Sequence, residues 1–384
     1  MRLYTHSVGR LAEVAAGDWQ ALDRGGNPFL DYAFLAQLES SGCVGGDSGW
    51  SPLHLLLRDA DGRLVGAVPR YLKAHSWGEF IFDWSWAQSY ARAGLDYYPK
   101  HLAAVPFTPV TGPRLLVRGD AADAASVRAA LAAALRQDAA RSGHSGAHVN
   151  FTTADDQRAL EGEGFLPRND CRFLWRNRGY RDFDDFLDGF RADKRKKVKR
   201  ERRRVAESGI EFRSLAGESI DAQTWETVFG FSERTFLQHG NAHYLTAEFL
   251  AAVAAAQPGT VLVQLAERHG TAVATAIFFQ GGGTLYGRYW GSAAPEDCLH
   301  FEACYYRGIE HCIAAGLESF DPGTQGEHKL ARGFEPTLTQ SAHWLAHEGF
   351  HAAVARYLER ERAAVAEYVA AAARHLPFQR GPSP

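Results

Sequence analysis

HLLLRDADGRLVGAVPRYLK, residues 54–73, sets two apolar runs on either side of an Asp61-Gly62 turn, which is the chemistry of a β-hairpin. VLVQLAERHGTAVATAIFFQ, residues 261–280, repeats the plan about His269-Gly270, with the two turn glycines 208 residues apart. The Tyr97-Tyr98 pair recurs as Tyr305-Tyr306 at the same offset. Later landmarks keep step at a shorter one. A helix near Ala124 to Arg141, a strand near Ala147 to Phe151 and Gly164-Phe165-Leu166-Pro167 parallel a second helix, a strand around Phe320 and Gly333-Phe334-Glu335-Pro336, with Phe165 and Phe334 169 apart. The first copy therefore carries 39 extra residues (208 against 169) between Tyr98 and its helix, PFTPVTGPRLL at 106–116 among them. Mixed strands and helices duplicated at this scale predict two related α/β domains with mixed sheets, 1–170 and 171–350, followed by a C-terminal helix and tail over 351–384.

The second copy holds the stretch richest in chemistry, LHFEACYYRGIEHCIAAGLESFDPGTQGEHKLARGF, residues 299–334. Pro295, Glu296 and Asp297 form a helix-start signal and Gly316 a stop. Phe301, Tyr305, Ile309, Cys312 and Ile313 recur at helical spacing, which puts Glu302 at the edge of a buried stripe. A strand over Leu317 to Asp321 follows. Gly323 and Gly326 then permit a loop whose N–H groups can face one anion, and the loop delivers His328, Lys329 and Arg332 to one place.

Three other stretches stand out. Phe80, Phe82, Trp84 and Trp86 alternate with Ile81, Asp83 and Ser85, the pattern of one face of a strand. Such an aromatic wall could stack on a sugar or another flat group, with Asp83 or Arg114 fixing a polar end. LYGRYWG, residues 285–291, is the shorter counterpart, and Arg288 on an otherwise apolar strand calls for an anion or a carboxylate. RADKRKKVKRERRR, residues 191–204, has ten basic residues on a helix whose apolar stripe is thin, with only Asp193 and Glu201 to offset them. A ridge so charged favours phosphate, so RNA or another polyanion is expected on Arg195, Lys196, Lys199 and Arg203, with a plain solubilising helix as the alternative.

Whole-chain figures bound the rest. Lys+Arg 42 against Asp+Glu 45 gives a net charge of −3, so only local charge can recruit a polyanion. No run approaches the length of a membrane helix and Met1 to Gln20 lacks a signal-type apolar region, so a soluble, cytoplasmic protein is expected. The cysteines, Cys43, Cys171, Cys298, Cys304 and Cys312, are odd in number and form no CxxC pair, as expected of reduced thiols. His347-Glu348-Gly349-Phe350-His351 spells the zinc-protease motif H-E-x-x-H. Gly349 inside the required helix and the lack of a marked third ligand argue against it, and no metal site is expected.

YYPKHLAAVPFTPVTGPRLL, LYGRYWG, LHFEACYY, QGEHKLARGF and SAHW, with Asn27-Pro28-Phe29-Leu30, resemble the N-acyltransferases assigned to peptidoglycan biosynthesis or recognition. These are relatives of the Fem-type aminoacyl transferases, built from two acetyltransferase-like (GNAT) domains. The resemblance implies tandem GNAT-like domains and acyl transfer to an amine of a peptide-like cell-wall precursor. It places Lys329 in the transfer cleft and gives the basic helix a transfer-RNA role. On this reading Glu302 or His328 takes the proton from the amine. Lys329 and Arg332 hold donor phosphate or the developing oxyanion, while Tyr305, Arg288, Trp84, Trp86, Asp83 and Arg114 contact substrate. No tightly bound cofactor is implied, and the donor is aminoacyl-tRNA or acyl-CoA as co-substrate. The Q/R-x-x-G-x-G/A loop of coenzyme A users is absent before the Pro295 helix, which argues against ordinary acetyl-CoA. The alternatives are an acyl-CoA-dependent GNAT enzyme and a non-catalytic cell-wall-precursor binding protein.

Overall fold

The computed structural model describes residues 3–324 and 326–379. They form two compact units, the first from residues up to Asp170 together with Leu338–Glu367, the second from Cys171–Thr337 with the segment from Tyr368 onward. The chain thus changes unit near residue 170, and it returns to the first unit for Leu338–Glu367. The expected boundaries placed that segment in the second domain and the tail.

In the second unit Ile210–Ala216, Val261–Arg268, Thr271–Gly281 and Thr284–Ser292 pair antiparallel in that order. Ser319–Asp321 adds a parallel strand, and Trp175 and Arg176 of the strand Leu166–Arg176 close the row antiparallel. The first unit repeats this order. Tyr4–Val8 flanks the hairpin His54–Arg58/Leu64–Val68, Arg70–Lys73 pairs antiparallel with Lys100–Ala103, and Gly146–Thr152 runs parallel to Lys100–Ala103. Its last place is taken by Gln340–Leu345 of the strand Glu335–Leu345. The first unit is therefore completed by a strand from outside its main stretch of sequence, whereas the second closes with residues of its own. Pro69 separates Leu64–Val68 from Arg70–Lys73 because it has no N–H for the ladder, and the strand divides there between two sheets.

Both hairpins occupy equivalent places, and Gly62 and Gly270 take positive φ (80° and 75°) at their turns. The tyrosine pairs do not correspond. Tyr97-Tyr98 lies just before a strand, whereas Tyr305-Tyr306 lies within a helix. The extra residues of the first unit are two insertions, 74–99 between strands and 104–123 before the helix Ala124–Ser142. Val127, Leu131 and Leu135 of that helix pack on Leu55, Leu57 and Val149 to form the first core. The second core gathers Trp175, Phe186, Phe190, Phe278, Tyr305, Ile309, Phe320 and Phe334.

The aromatic block is not a strand. Trp84–Arg92 is a helix, and the residues before it are bent, with Phe80 at φ 59°. Three buried side chains pull the segment inward onto a single ammonium: Lys100 Nζ donates to Ser76 Oγ (2.9 Å), to Glu79 Oε2 (2.9 Å) and to Asp83 Oδ2. An alternating strand cannot aim positions 76, 79 and 83 at one point.

The helix Glu348–Ala373 begins one residue after His347, and His351 Nδ1 accepts from the Leu345 N–H at 3.3 Å. The H-E-x-x-H string is thus a helix start, not a mid-helix pair. Among the described residues no group of three His, Cys, Asp or Glu is placed to hold a metal ion. No described helix is long and apolar enough to cross a membrane.

Candidate active site

The helix of the 299–334 stretch begins at Leu299, later than Pro295 signalled, with Cys298 ahead of it at φ 65°. Its middle, Glu302–Tyr306, is π-helical before Arg307–Ala314 resumes the α form. A π-turn re-aims the side chains it carries and recurs at functional sites. Ser319–Asp321 then runs parallel to Thr284–Ser292 for three rungs. Pro322 has no N–H to extend the ladder, and its Cα would lie 3.3 Å from a Cβ on Gly287. The carboxyl end of parallel strands is where α/β folds gather ligands.

The loop at that end is built around His328 and Lys329. Gly323 N–H donates to Asp321 Oδ1 at 3.0 Å. Gly326 has φ 106°, and a Cβ there would meet His328 Cε1 at 2.1 Å, so only glycine lets the imidazole fold back over the loop. His328 Nε2 is 2.8 Å from Tyr305 Oη, and its ring lies 5.8 Å from Phe301 and 5.7 Å from Tyr305. Partial burial, with the cations of Lys329 and Arg332 nearby, lowers the His328 pKa below its ordinary 6.5. The imidazole is neutral at pH 7. Lys329 is 1% exposed, and its Nζ donates to Gly323 O at 2.8 Å and Thr324 O at 3.2 Å. Burial brings its pKa down to about 8, against the pull of Asp321 and with the repulsion of Arg172. Arg172 itself is paired with Asp321 at 2.9 Å.

Arg332 and Glu302 face elsewhere. Arg332 Nη2 donates to both oxygens of Glu201 (3.0 and 2.9 Å), its Nη1 to His328 O (2.8 Å), and its guanidinium lies 3.4 Å over Phe301. Tyr306 Oη donates to the same Glu201 carboxylate. Glu302, 3% exposed, is held by Arg202 through Nε (3.1 Å) and Nη2 (2.9 Å) and by Arg307 Nε (3.1 Å). It lines a cavity of about 560 Å³ against the basic helix, a cavity that neither His328 nor Lys329 lines. The expected convergence of Glu302, His328 and Lys329 is corrected accordingly. With its carboxylate taken up by two guanidiniums, Glu302 is not free to reach a substrate amine.

The first-unit residues also need correction. Arg114 is fully buried and donates to the carbonyls of Gly112 (3.0 Å), Pro113 (3.3 Å) and Val110 (2.5 Å), so it shapes its own loop and does not grip an acceptor. Asp83 belongs to the Lys100 cluster. Burial alone would raise its pKa, but Lys100 and His148 hold it below the usual carboxylate range. Trp86 is buried against His343 at 5.1 Å and His148 at 6.2 Å. Trp84 is half-buried and meets Trp77 edge-on at 5.4 Å. Arg288 is half-buried, with its guanidinium 5.6 Å from the Tyr289 ring.

The basic run forms the helix Ala192–Glu207, with Val198, Glu201 and Val205 buried. Its charge is better matched than its own sequence suggested, because most of the acids come from neighbouring elements and one, Glu207, from its own last turn. Arg195 meets Asp188 (3.3 Å), Lys199 meets Asp184 (2.8 Å) and Arg203 meets Glu207 (3.7 Å). Arg202 is taken by Glu302 and Glu310. Pairs as open as Lys199–Asp184 are worth about 0–1 kcal/mol and yield readily to a phosphate. Lys196 is exposed.

Sequence reasoning missed Glu201, Arg202, Arg172 and Asp321 as site-building residues. The signal for Glu201 was there: its spacing from Val198 and Val205 puts it on the helix's thin apolar stripe, where a buried carboxylate calls for a cation partner.

The chain belongs to the FemAB-like family of peptidoglycan biosynthesis and recognition, which it matches over residues 10–380. No curated protein matches it. Among solved structures it is similar to FemX, with TM-score 0.52 and 11% identity over 91% of this chain and 100% of that one. A C-terminal domain assigned as lysylphosphatidylglycerol synthetase from Agrobacterium fabrum gives TM-score 0.51 and 11% identity over 86% and 90% of the two chains. L-PGS from Bacillus licheniformis gives 0.50 and 11% over 87% and 93%. The strand order in each unit, with its single parallel pair, is the tandem GNAT arrangement.

Proposed function

We propose that this protein is an N-acyltransferase that moves an aminoacyl group from transfer RNA to a free amine of a peptide-like cell-wall precursor. The observation that carries the reading is the loop 323–332, where a neutral imidazole and a buried ammonium sit side by side at the carboxyl end of the parallel strand pair. The acceptor attacks as the neutral amine, its ammonium (pKa near 10.4 if lysine-like) having released one proton to solvent. His328 is the base. The nitrogen bonds to the ester carbonyl carbon, its proton passes to the imidazole, and Lys329 supplies positive potential for the oxyanion. Collapse breaks the ester C–O bond, and the proton returns to the departing ribose oxygen. Tyr305 holds the ring of His328 in place.

Transfer RNA is favoured over coenzyme A by two features. The connection from Ser292 to Leu299 contains no glycine to cradle a pyrophosphate, while the helix Ala192–Glu207 offers a row of exposed cations. A charged-RNA donor also implies action in the cytoplasm. Salt titration of RNA binding tests this directly, since the slope should be about −0.7 per phosphate contact for a single strand. Changing Arg195, Lys196, Lys199 and Arg203 to Gln should flatten the slope. If the quadruple variant binds RNA with unchanged affinity and slope, or coenzyme A binds in place of RNA, the donor assignment is wrong.

A further inference from the structure

The cavity lined by Glu302 lies beside the basic helix and has a composition unlike the ridge above it. Its floor is apolar, from Phe183, Leu187, Val205, Ile210 and Phe212. Its walls are arginines already matched by acids: Arg202 on Glu302 and Glu310, and Arg307 on the same two carboxylates. Each guanidinium stacks on a phenylalanine, Arg202 at 4.5 Å over Phe183 and Arg307 at 4.8 Å over Phe212. The in-plane donors of Arg202, Nε, Nη1 and Nη2, all go to carboxylates, which leaves it a flat surface to offer and no strong call for a free anion. The mouth differs in exposure: Lys199 and Arg203 line it with side chains 55% and 68% exposed, beside the exposed Asp182 and Asp184, and their open pairs with Asp184 and Glu207 yield readily to a phosphate.

An apolar floor, planar cationic walls, carboxylate acceptors and cations at the rim suit a flat, hydrogen-bonding aromatic group tethered to a phosphate. We infer that this cavity receives an unpaired base of the RNA that follows the basic helix, with Lys199 and Arg203 on the adjoining phosphates. Unpaired bases are held in this way, stacked on aromatic rings or guanidinium planes while the backbone tracks a basic surface. The inference rests on the RNA-donor reading above and adds a second contact to it, one that reads base and not charge.

Two oligomers of equal length separate the contributions: a fluorescent single-stranded RNA, and the same ribose-phosphate chain with abasic residues, each titrated with the full chain across a range of salt. Equal salt slopes are expected for both, with the base-bearing strand bound at least about 5-fold more tightly, the low end of what stacking one base contributes. Ala206, exposed on the helix and lining the cavity, provides the variant. Ala206→Phe fills the space without altering charge, and should erase the preference while leaving the slope and the far-ultraviolet circular dichroism unchanged. Equal affinity for the two oligomers, or a preference that survives Ala206→Phe, would overturn the base pocket and leave the donor reading standing. Failure of both oligomers to bind at low salt would overturn the two together.

Discussion

At the scale of single residues, the chemistry of loop 323–332 turns on which groups carry protons. His328 has a pKa below 6.5 and Lys329 one of about 8. Below the first, the imidazole is protonated and cannot accept the amine's proton; above the second, the ammonium becomes neutral and its positive potential is lost. A bell-shaped dependence of kcat/KM, expressed per neutral acceptor amine, is therefore expected, with an acid limb below pH 6.5 and an alkaline limb near pH 8. His328→Gln should lower the rate by about 10² or more and remove the acid limb. A profile still rising above pH 9 would exclude Lys329 as the group that must stay charged. Glu302 provides the opposite expectation. Its carboxylate holds Arg202 and Arg307 in a buried place, so Glu302→Gln should destabilise the fold by about 3 kcal/mol, while turnover per folded molecule stays within a few-fold. Denaturant unfolding and activity measured on the same sample check both halves.

At the scale of elements, the loop Gly323–Arg332 and the π-turn Glu302–Tyr306 act as one device. The turn aims Tyr305 at His328 and Tyr306 at Glu201, and Arg332 ties the loop to that same Glu201. Gly326 is its most sensitive point. Gly326→Ala would add a methyl 2.1 Å from His328 Cε1 in a backbone conformation of φ 106°, so the imidazole must move, and a rate loss of about 10-fold or more is expected with the secondary structure intact. An unchanged rate would show that the imidazole position is irrelevant. This element was legible in sequence as a helix, a strand and a glycine loop because local rules write all three. Its partners were not legible. Glu201, Arg202 and Arg172 arrive from a hundred residues away or more, and a π-turn leaves no mark in a pattern of apolar residues. The aromatic block misled for the same reason, since the ammonium of Lys100 bends a segment whose alternation alone spells a strand.

At the scale of the molecule, the hairpins revealed the duplication because turn glycines and apolar alternation survive divergence. The return of Gln340–Leu345 to the first unit was invisible, as strand pairing across more than 180 residues has no local signature. It has a testable consequence. The strand Gly146–Thr152 is paired by Gln340–Leu345, and Val354 and Leu358 complete the cluster around Trp86 and Tyr90. Residues 1–170 alone should therefore remain protease-sensitive, with an open strand edge. The same piece with 338–367 joined by a flexible linker should fold cooperatively. A stable, monomeric 1–170 fragment would show that the returning segment is dispensable.

The central claim is that loop 323–332 carries out acyl transfer from RNA. Its most direct test is to incubate the protein with transfer RNA bearing a radiolabelled amino acid and a muropeptide precursor with a free side-chain amine, and to follow label into the precursor by mass. Wild-type protein should form the amide. Lys329→Ala, with its fold intact by circular dichroism, should do so at least about 10²-fold more slowly, as for the loss of a transition-state donor. Equal rates in the two proteins would contradict the site. Label that never leaves the RNA with any such acceptor, alongside acyl transfer from a coenzyme A thioester, would contradict the reaction.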